Sequence, residues 1–574
     1  MSYKKAYDSW LGDPVIDDAT KQELESIAND EKEIEDRFFK QLEFGTGGMR
    51  GVIGAGTNRL NIYTVRRATQ GLANYILQSD DYKPGMGVAI AHDCRRMSPE
   101  FSREAALVLN ANGIKTYTWE SLRSTPELSF AVRHYGCISG IVITASHNPP
   151  EYNGYKVYWS DGGQCPYPRD EAIISEVNKI TDFDMVKTIS LDEAKSKGLY
   201  VIAGQDVDDA FIECVKAQSL NPDVIKNSDI KIVFTPLYGA GNIPVRRALG
   251  EMGFKNVFSE TRQAGPNGDF PTVSYPNPEA KEAFTLSIET AKLHEADIII
   301  ATDPDCDRVG VAVRHGGEYV LLSGNMTGVI LTEYLVSGKK SAGTLPQSGA
   351  VISTIVSTRM TEAIAKLNGL TYIDVLTGFK YVGEKIKEFE KSGSHSYIIG
   401  FEESYGYLVG THARDKDAVV ASLLICEAAA YYKEQGQNLV EVMDKLYKQY
   451  GRFQEYVESI TLKGVDGLND IKRIMAGLRE NPPNEIANSK VKIISDYKNS
   501  VQKNVDTGKT EKIELPVSDV VHFKMEDESW ACVRPSGTEP KIKLYFGAKL
   551  PSDATAKDAE ARLAQMVDDL KKYM

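Results

Sequence analysis

The feature that most constrains this chain is a strand–helix pattern that occurs three times in succession. In the first copy Gly87–Asp93 reads as a strand, Ser98–Asn110 as a helix and Ile114–Trp119 as a second strand. The helical stretch Pro126–Tyr135 and the short apolar strand Ile141–Ile143 complete it. The second copy runs through the strand Lys231–Thr235, a helix near Pro244–Met252, the strand Lys255–Phe258, a helix over Ala280–Leu293 and the strand Asp297–Ala301. The third runs Ala350–Thr354, Met360–Leu367, Leu370–Ile373, Tyr381–Phe389 and Ser396–Ile399. Alternation of this kind favours mostly parallel sheets covered by helices. The expected fold class is therefore α/β, with three successive β-α-β-α-β domains whose sheets are mixed but mostly parallel.

Ahead of the first copy, Thr20–Leu42 places Leu24, Ile27, Ile34, Phe38 and Leu42 at helical spacing, which predicts one packed helix. After about residue 450 the pattern changes. A charged segment, Leu468–Tyr497, with Pro482 and Pro483 in its middle, gives way to short strands around Val517–Lys524 and Trp530–Arg534. A helix over Ser552–Met574 comes last, and the whole reads as a smaller C-terminal α+β domain. The expected domain limits are 1–205, 206–322, 323–452 and 453–574, arranged around a central cleft.

Composition excludes several function classes. The net charge of −13 argues against non-specific nucleic-acid binding, so an anionic substrate needs local basic groups. Seven scattered cysteines form no close pair, which fits a reducing compartment without a disulfide framework or cysteine zinc site. No run is long enough to span a bilayer and the start has no apolar signal region. A cytoplasmic protein is expected, with a small-molecule substrate, no nucleic-acid or membrane partner, and a monomeric or homodimeric state.

The loops just past the last strand of each copy carry the chemistry. The first is Thr144-Ala145-Ser146-His147-Asn148-Pro149-Pro150, continuing through Tyr152-Asn153-Gly154-Tyr155-Lys156. A seryl hydroxyl just past the carboxyl end of a strand lies where open α/β sheets keep their ligands, although such a serine by itself is as readily a turn or cap residue. The second is Thr302-Asp303-Pro304-Asp305-Cys306-Asp307-Arg308. Its alternating acids, on an extended loop, point the same way and offer hard oxygen ligands suited to Mg²⁺. An EF-hand is excluded, because its glycine and glutamate positions fall on Arg308 and Arg314. A capping cluster of acids is the remaining alternative.

The third is Gly400-Phe401-Glu402-Glu403-Ser404-Tyr405-Gly406. Two further turns suit phosphate: Phe44-Gly45-Thr46-Gly47-Gly48-Met49-Arg50-Gly51, and Arg534-Pro535-Ser536-Gly537-Thr538-Glu539-Pro540. Either is otherwise a plain turn. Together the groups suit phosphoryl transfer, with a phosphate on Ser146 neutralised by the metal and by Arg50, Lys156 and Arg308. Lys156 and His147 are the nearest candidates for moving the proton of an attacking hydroxyl.

The Thr-Ala-Ser-His-Asn-Pro, Asp-Pro-Asp-Cys-Asp-Arg, Gly-Phe-Glu-Glu-Ser-Tyr-Gly and Arg-Pro-Ser-Gly-Thr-Glu-Pro loops, in this order, resemble the four signature loops of the α-D-phosphohexomutase superfamily. The resemblance covers nearly the whole chain. It is most similar to the phosphoglucomutase and phosphopentomutase branch, which Thr46–Arg50, Thr125–Phe130 and Tyr152–Tyr158 also fit.

The resemblance implies that Ser146 carries the phosphate, with Mg²⁺ held by Asp303, Asp305, Asp307 and a phosphoserine oxygen. It implies Lys156 as the candidate acid or base, and Glu402, Ser404 and Lys416 on the substrate; Arg50 and His147 are further catalytic candidates, and Arg308, Thr377 and Gly378 further substrate-binding ones. Arg534, Ser536, Gly537 and Thr538 grip the non-reacting phosphate in this scheme. Some members have histidine at the end of the sugar loop; here Tyr405 and Gly406 stand there, so no histidine role carries over. The implied reaction interconverts α-D-glucose 1-phosphate and glucose 6-phosphate, primed by glucose 1,6-bisphosphate. Pentose or mannose phosphates, one-way bisphosphate synthesis, and a non-catalytic phosphosugar binder are the alternatives.

Overall fold

A computed structural model describes residues 2–45, 48–462, 464–536 and 541–574. It divides into two compact units. The first comprises Met1–Ser323, Phe379–Tyr397 and Ser404–Gly436, and the second Gly324–Gly378, Ile398–Glu403 and Gln437–Met574.

The first unit holds two sheets. One has six strands in the order Gly48–Val52, Tyr152–Trp159, Ser139–Ile143, Gly87–His92, Lys115–Thr118, Tyr200–Ile202. Gly87–His92 pairs in parallel with both its neighbours. Every residue of Gly87–His92 and of Ser139–Ile143 is buried, as expected for central strands covered on both faces. Alternate side chains serve two cores. Val88, Ile90, Ile141 and Ile143 pack with Val65, Leu72, Phe101 and Leu109 of the helices Ile62–Gln78 and Ser98–Ala111. Ala89, Ala91 and Val142 pack with Leu128, Ala131 and Val132 of the helix Thr125–His134. The helices Ile62–Gln78 and Thr125–His134 start on strong caps: Asn61 with Thr64, and Ser124 with Glu127, form reciprocal capping boxes.

The second sheet has five strands in the order Glu318–Leu322, Val309–His315, Ile298–Thr302, Lys231–Thr235, Asn256–Ser259. In both sheets one parallel strand, Ser139–Ile143 in the first and Ile298–Thr302 in the second, runs into a polar loop and the chain then returns antiparallel beside it. Tyr152–Trp159 returns along Ser139–Ile143, setting Lys156 opposite Val142. Val309–His315 returns along Ile298–Thr302, setting Val309 opposite Thr302. A third β-α-β-α segment begins in the second unit, where Gly349–Thr354 pairs in parallel with Thr371–Val375. That unit also holds an eight-stranded sheet, whose core of Val521, Phe523, Ala531, Val533, Leu544 and Phe546 is closed by Met566 and Leu570 of the helix Ala556–Lys571.

Three local expectations change. The segment expected as one helix over Thr20–Leu42 is two, Asp18–Ser26 and Glu31–Phe38. The break has a cause: the Asp30 carboxylate accepts the Glu33 N–H at 3.1 Å and starts a new helix there. Ala280–Leu293 opens as a 3₁₀ turn, Lys281–Phe284, before the α-helix Thr285–His294. The charged stretch expected at Leu468–Tyr497 contains a helix, Gly464–Glu480, that stops before Pro482, followed by the strand Ser489–Asp496. Among the described residues, no helix is long and apolar enough to cross a membrane.

The returning strand of the first sheet passes the serine loop with no room for a side chain at Gly154. A Cβ there would lie 2.4 Å from the Thr144 carbonyl oxygen and 2.9 Å from that of Met49. Both obstacles are backbone, so relief requires moving a strand. Gly154→Ala is therefore expected to destabilise the first unit by about 1–3 kcal/mol, read as a lower transition in differential scanning calorimetry. Gly51→Ala is the comparison, since its nearest contacts are the flexible Leu42 methyls; equal melting of the two variants would contradict this account.

Candidate active site

Ser146 sits in a strained turn that the fold holds from behind. Its φ is 50°, a left-handed conformation uncommon for a non-glycine residue. The Ser146 N–H donates to the Thr144 hydroxyl at 2.8 Å, and that hydroxyl donates to the Asp93 carboxylate at 2.6 Å. The fully buried Arg95 guanidinium spreads over the same turn. It donates to the carbonyls of Ser146 at 2.6 Å, Pro149 at 2.8 Å and Tyr152 at 2.9 Å, and to that of Asn148. A left-handed serine costs on the order of 1–2 kcal/mol, which charge-assisted bonds to the turn's carbonyls offset.

The strand Ile298–Thr302 delivers the acidic loop to this serine. The Ser146 hydroxyl donates to Asp303 Oδ2 at 2.6 Å, across 157 residues of sequence. Ligand oxygens of Asp303, Asp305 and Asp307, all buried, lie within 4.8 Å of one another. The route to this convergence differs from the expected extended alternation. Cys306 takes a left-handed φ of 54° and its N–H closes onto the Asp303 carbonyl at 2.9 Å, so the loop turns. The other Asp303 oxygen accepts the Asp307 and Arg308 N–H groups at 3.1 and 3.0 Å. Thr125, the first residue of its helix, donates its hydroxyl to Asp305 Oδ2 at 2.8 Å and its N–H to the Asp305 carbonyl at 2.9 Å.

Cations compensate the acids. Lys156 Nζ lies 2.7 Å from Asp305 Oδ2 and 3.2 Å from Asp307 Oδ2. Lys416 Nζ lies 3.1 Å from Asp307 Oδ2 and 3.0 Å from Asp415 Oδ1. Arg308 reaches Glu279 at 2.6 Å, and the exposed Arg50 donates to the Asn148 side chain at 3.1 Å. Burial, then the neighbouring Asp305 and Asp307 carboxylates, push Asp303 well above the usual carboxylate range. For Asp307 burial acts the same way, but Lys156, Lys416 and Arg308 outweigh it and hold the group far below that range. Burial disfavours the Lys156 ammonium, yet Asp305 and Asp307 overcome this and raise it. Burial, reinforced by Arg308 and Arg50, holds His147 well below its ordinary value, so its imidazole is neutral. His147 Nδ1 stands 3.1 Å from Ser146 Oγ.

A buried triple-aspartate group of this kind suits a metal ion. Oδ1 of Asp305 and Oδ1 of Asp307 are buried and accept no hydrogen bond, leaving two ready oxygen donors. The raised Asp303 carries the same message, because three adjacent buried carboxylates cannot all ionise without more positive charge.

The first unit thus brings together Arg50, Ser146, His147, Lys156, Asp303, Asp305, Asp307, Arg308 and Lys416. Ser404, also in this unit, is half-buried. The second unit carries Thr377, Gly378, Glu402, Arg534 and Ser536. Within it Glu402 Oε1 accepts the Gly378 N–H at 2.8 Å, fixing that carboxylate on its loop. The Ser536 N–H donates to the Lys541 carbonyl at 2.7 Å. Gly537 and Thr538, and Thr46 and Gly47 of the glycine-rich turn, lie outside the described residues. Sequence reading passed over Asp93, Arg95, Thr144 and Thr125, whose partners are backbone groups or side chains remote in sequence. An arginine and an aspartate two residues apart, just after a fully apolar strand, were the one available signal.

Comparison with known proteins agrees along the whole chain. Four models of phosphoglucomutase/phosphomannomutase match in order: alpha/beta/alpha domain I over residues 41–184, domain II over 209–317, domain III over 323–450, and the C-terminal domain over 487–566. The chain is 36% identical over 525 residues to a phosphoglucomutase of Staphylococcus aureus (strain MRSA252), covering 91% of this chain and 92% of that one. In fold it is similar to a putative phosphomannomutase of Thermus thermophilus, with a TM-score of 0.67 and 23% identity over 93% of this chain and 99% of that one. It is similar also to the open form of the Paramecium phosphoprotein parafusin, a phosphoglucomutase, with a TM-score of 0.68 and 18% identity over 93% and 96%. With the serine loop and the acidic loop meeting in one buried site, the chain belongs to the phosphoglucomutase/phosphomannomutase family, within the α-D-phosphohexomutase superfamily.

Proposed function

We propose that this protein is a phosphoglucomutase, interconverting α-D-glucose 1-phosphate and glucose 6-phosphate through a phosphoserine at Ser146 and a glucose 1,6-bisphosphate intermediate. The observation that carries the reading is the apposition of one buried seryl hydroxyl to three convergent carboxylates, with Ser146 Oγ 2.6 Å from Asp303. A purely structural serine has no need of such a neighbour, and a passive phosphosugar binder has no need of a phosphoryl carrier. The curated relatives that carry the phosphoglucomutase name span over nine-tenths of this chain, which favours glucose over pentose or mannose.

In the first transfer, a sugar hydroxyl oxygen bonds to phosphorus as the bond from phosphorus to Ser146 Oγ breaks, and the hydroxyl's proton ends on Oγ. In the second, Oγ takes the other phosphoryl group of the bisphosphate and the sugar–oxygen bond to phosphorus breaks. Asp303, Asp305 and Asp307 would hold one Mg²⁺, which supplies positive charge where the phosphoryl oxygens gather. Lys156, kept protonated by Asp305 and Asp307, adds charge there and has a proton to give to a departing sugar oxygen. His147, neutral and 3.1 Å from Oγ, takes the serine proton when Ser146 is phosphorylated. Arg50, Arg308 and Lys416 complete the positive lining. Glu402 and Ser404, with Thr377 and Gly378, recognise sugar hydroxyls in this scheme, and Arg534, Ser536, Gly537 and Thr538 the non-reacting phosphate. The corresponding domains run 1–205, 206–322, 323–452 and 453–574. A cytoplasmic location and a monomeric or homodimeric state belong to the same proposal.

Three outcomes are expected. Intact-mass analysis of the purified protein shows a population one phosphate heavier, absent from Ser146→Ala. Turnover in that variant falls at least about a thousandfold, which corresponds to about 4 kcal/mol of transition-state stabilisation; wild-type turnover there would refute the carrier role. Stripping divalent ions with a chelator abolishes activity and Mg²⁺ restores it, while Asp305→Asn weakens Mg²⁺ binding in calorimetry at least about tenfold. Finally, kcat/KM on glucose 1-phosphate exceeds that on ribose 1-phosphate by at least about tenfold, in assays run side by side with the matching bisphosphates. The reverse ratio assigns the pentose reaction instead.

A further inference from the structure

The second unit contains a cavity of about 450 Å³ that the reaction above does not use. Its floor is one face of the eight-stranded sheet. Strand register puts Lys524 opposite Trp530, His522 opposite Cys532, and Ser495 opposite both His522 and Gln502. The other face of these strands, with Val521, Phe523, Ala531 and Val533, is the C-terminal domain's apolar core. A helix, Met360–Leu367, and the neighbouring Asp374 supply the facing wall.

The floor is shaped for something flat. A Cβ at Gly547 would stand 2.1 Å from Trp530 Nε1, so only glycine lets the indole lie down on the sheet. The His522 ring stacks parallel to that indole, with centroids 5.4 Å apart and 16° between planes. His522 is 7% exposed, and its Nε2 is a buried atom without a hydrogen-bond partner. Buried polar atoms are almost always satisfied, so an orphan beside a cavity marks a position for a ligand atom.

Charge decides the class of ligand. Each acid on the lining is already matched: Asp374 by Arg359 at 2.6 Å, Glu362 by Lys366 at 2.6 Å, and Glu528 by Lys549. Lys524 has no carboxylate within salt-bridge distance among the described residues. Burial, then Arg359 and Lys524, push His522 down to about 3, so its ring is neutral and can serve as a hydrogen-bond donor. Beyond these pairs the lining offers one ammonium, which also acts on Glu362, and one neutral imidazole beside a buried indole.

We propose that this cavity binds a small organic anion, whose phosphate or carboxylate meets Lys524 while its body lies against the wall that Trp530 and His522 form. The volume falls within the range usual for small-molecule sites. A ligand there touches both the helix Met360–Leu367 and the C-terminal sheet, so it ties together two parts of the second unit that are distant in sequence.

The test uses the full chain labelled with fluorotryptophan. It has four tryptophans, Trp10, Trp119, Trp159 and Trp530, whose fluorine resonances are assigned with single Trp→Phe variants. The probes are 3-phosphoglycerate, which offers a phosphate, and citrate, which offers carboxylates alone. At least one moves the Trp530 resonance saturably and leaves the other three in place, and the responsive probe identifies the group. Lys524 is exposed, so Lys524→Glu folds; it weakens that response at least about tenfold and leaves mutase turnover unchanged. A Trp530 resonance stationary at millimolar concentrations of both probes overturns the proposal. So does a response that survives Lys524→Glu and disappears in Arg534→Ala, since that signal comes from the phosphate loop. Turnover measured on the same samples keeps this outcome separate from that of the mutase reading.

Discussion

The site depends on the cost of holding three carboxylates together out of water. Asp303, Asp305 and Asp307 are essentially inaccessible to solvent, and isolated charges so placed would either neutralise or unfold their surroundings. The chain answers with partners drawn from everywhere around them. Lys156 comes from the returning strand of the first sheet, Lys416 from the loop ahead of the helix Ala418–Glu434, and Thr125 with its N–H from the start of another helix. None of these elements can shift without exposing an unmatched charge. The same interactions that make the acids tolerable therefore also position the groups that surround Ser146.

Both loops of the site use one structural device. A buried parallel strand ends, a short polar loop turns at a left-handed residue, and the chain returns antiparallel along the strand it has just left. Ser146 and Cys306 are those left-handed residues. The turn aims side chains off the end of the sheet, and the returning strand fixes the loop at both ends. In the first sheet the return also delivers Lys156 to the acids. Backbone that would be costly in isolation is held by side chains with no role at the reacting atoms, Arg95 above all, whose four carbonyl contacts lie under the serine turn.

The central strands and their helices were legible because their signal is local. Gly87–His92 and Ser139–Ile143 are mostly apolar short runs of the length and composition a doubly covered strand needs, and the helices between them keep their periodicity. The returning strands were not legible as strands, since Tyr152–Trp159 mixes asparagine, glycine and lysine for reasons that belong to its neighbours. Gly154 answers to the Thr144 carbonyl and Lys156 to acids some 150 residues away. The break at Asp30 turned on one capping bond, which competes with a continuous apolar stripe that is equally consistent with a single helix. At the site, the serine and the acids could be read from motif and spacing. Arg95 could not, because a clamp on backbone carbonyls leaves no pattern beyond the nearby Asp93.

Net charge and local charge point in opposite directions in this protein, and the difference has a physical use. The whole chain carries −13, yet Arg50, Lys156, Arg308 and Lys416 all surround Ser146 and the acids. Four cations face three aspartates, with Asp415 and Glu279 engaging Lys416 and Arg308, and burial with the neighbouring acids pushes the Asp303 carboxyl well above the usual carboxylate range. A divalent cation alone would tip that balance toward positive charge, and a phosphoryl dianion alone would tip it toward negative. Brought in together they largely offset each other. In the reaction proposed above, the burial that makes each charge expensive is what would couple occupancy of the two.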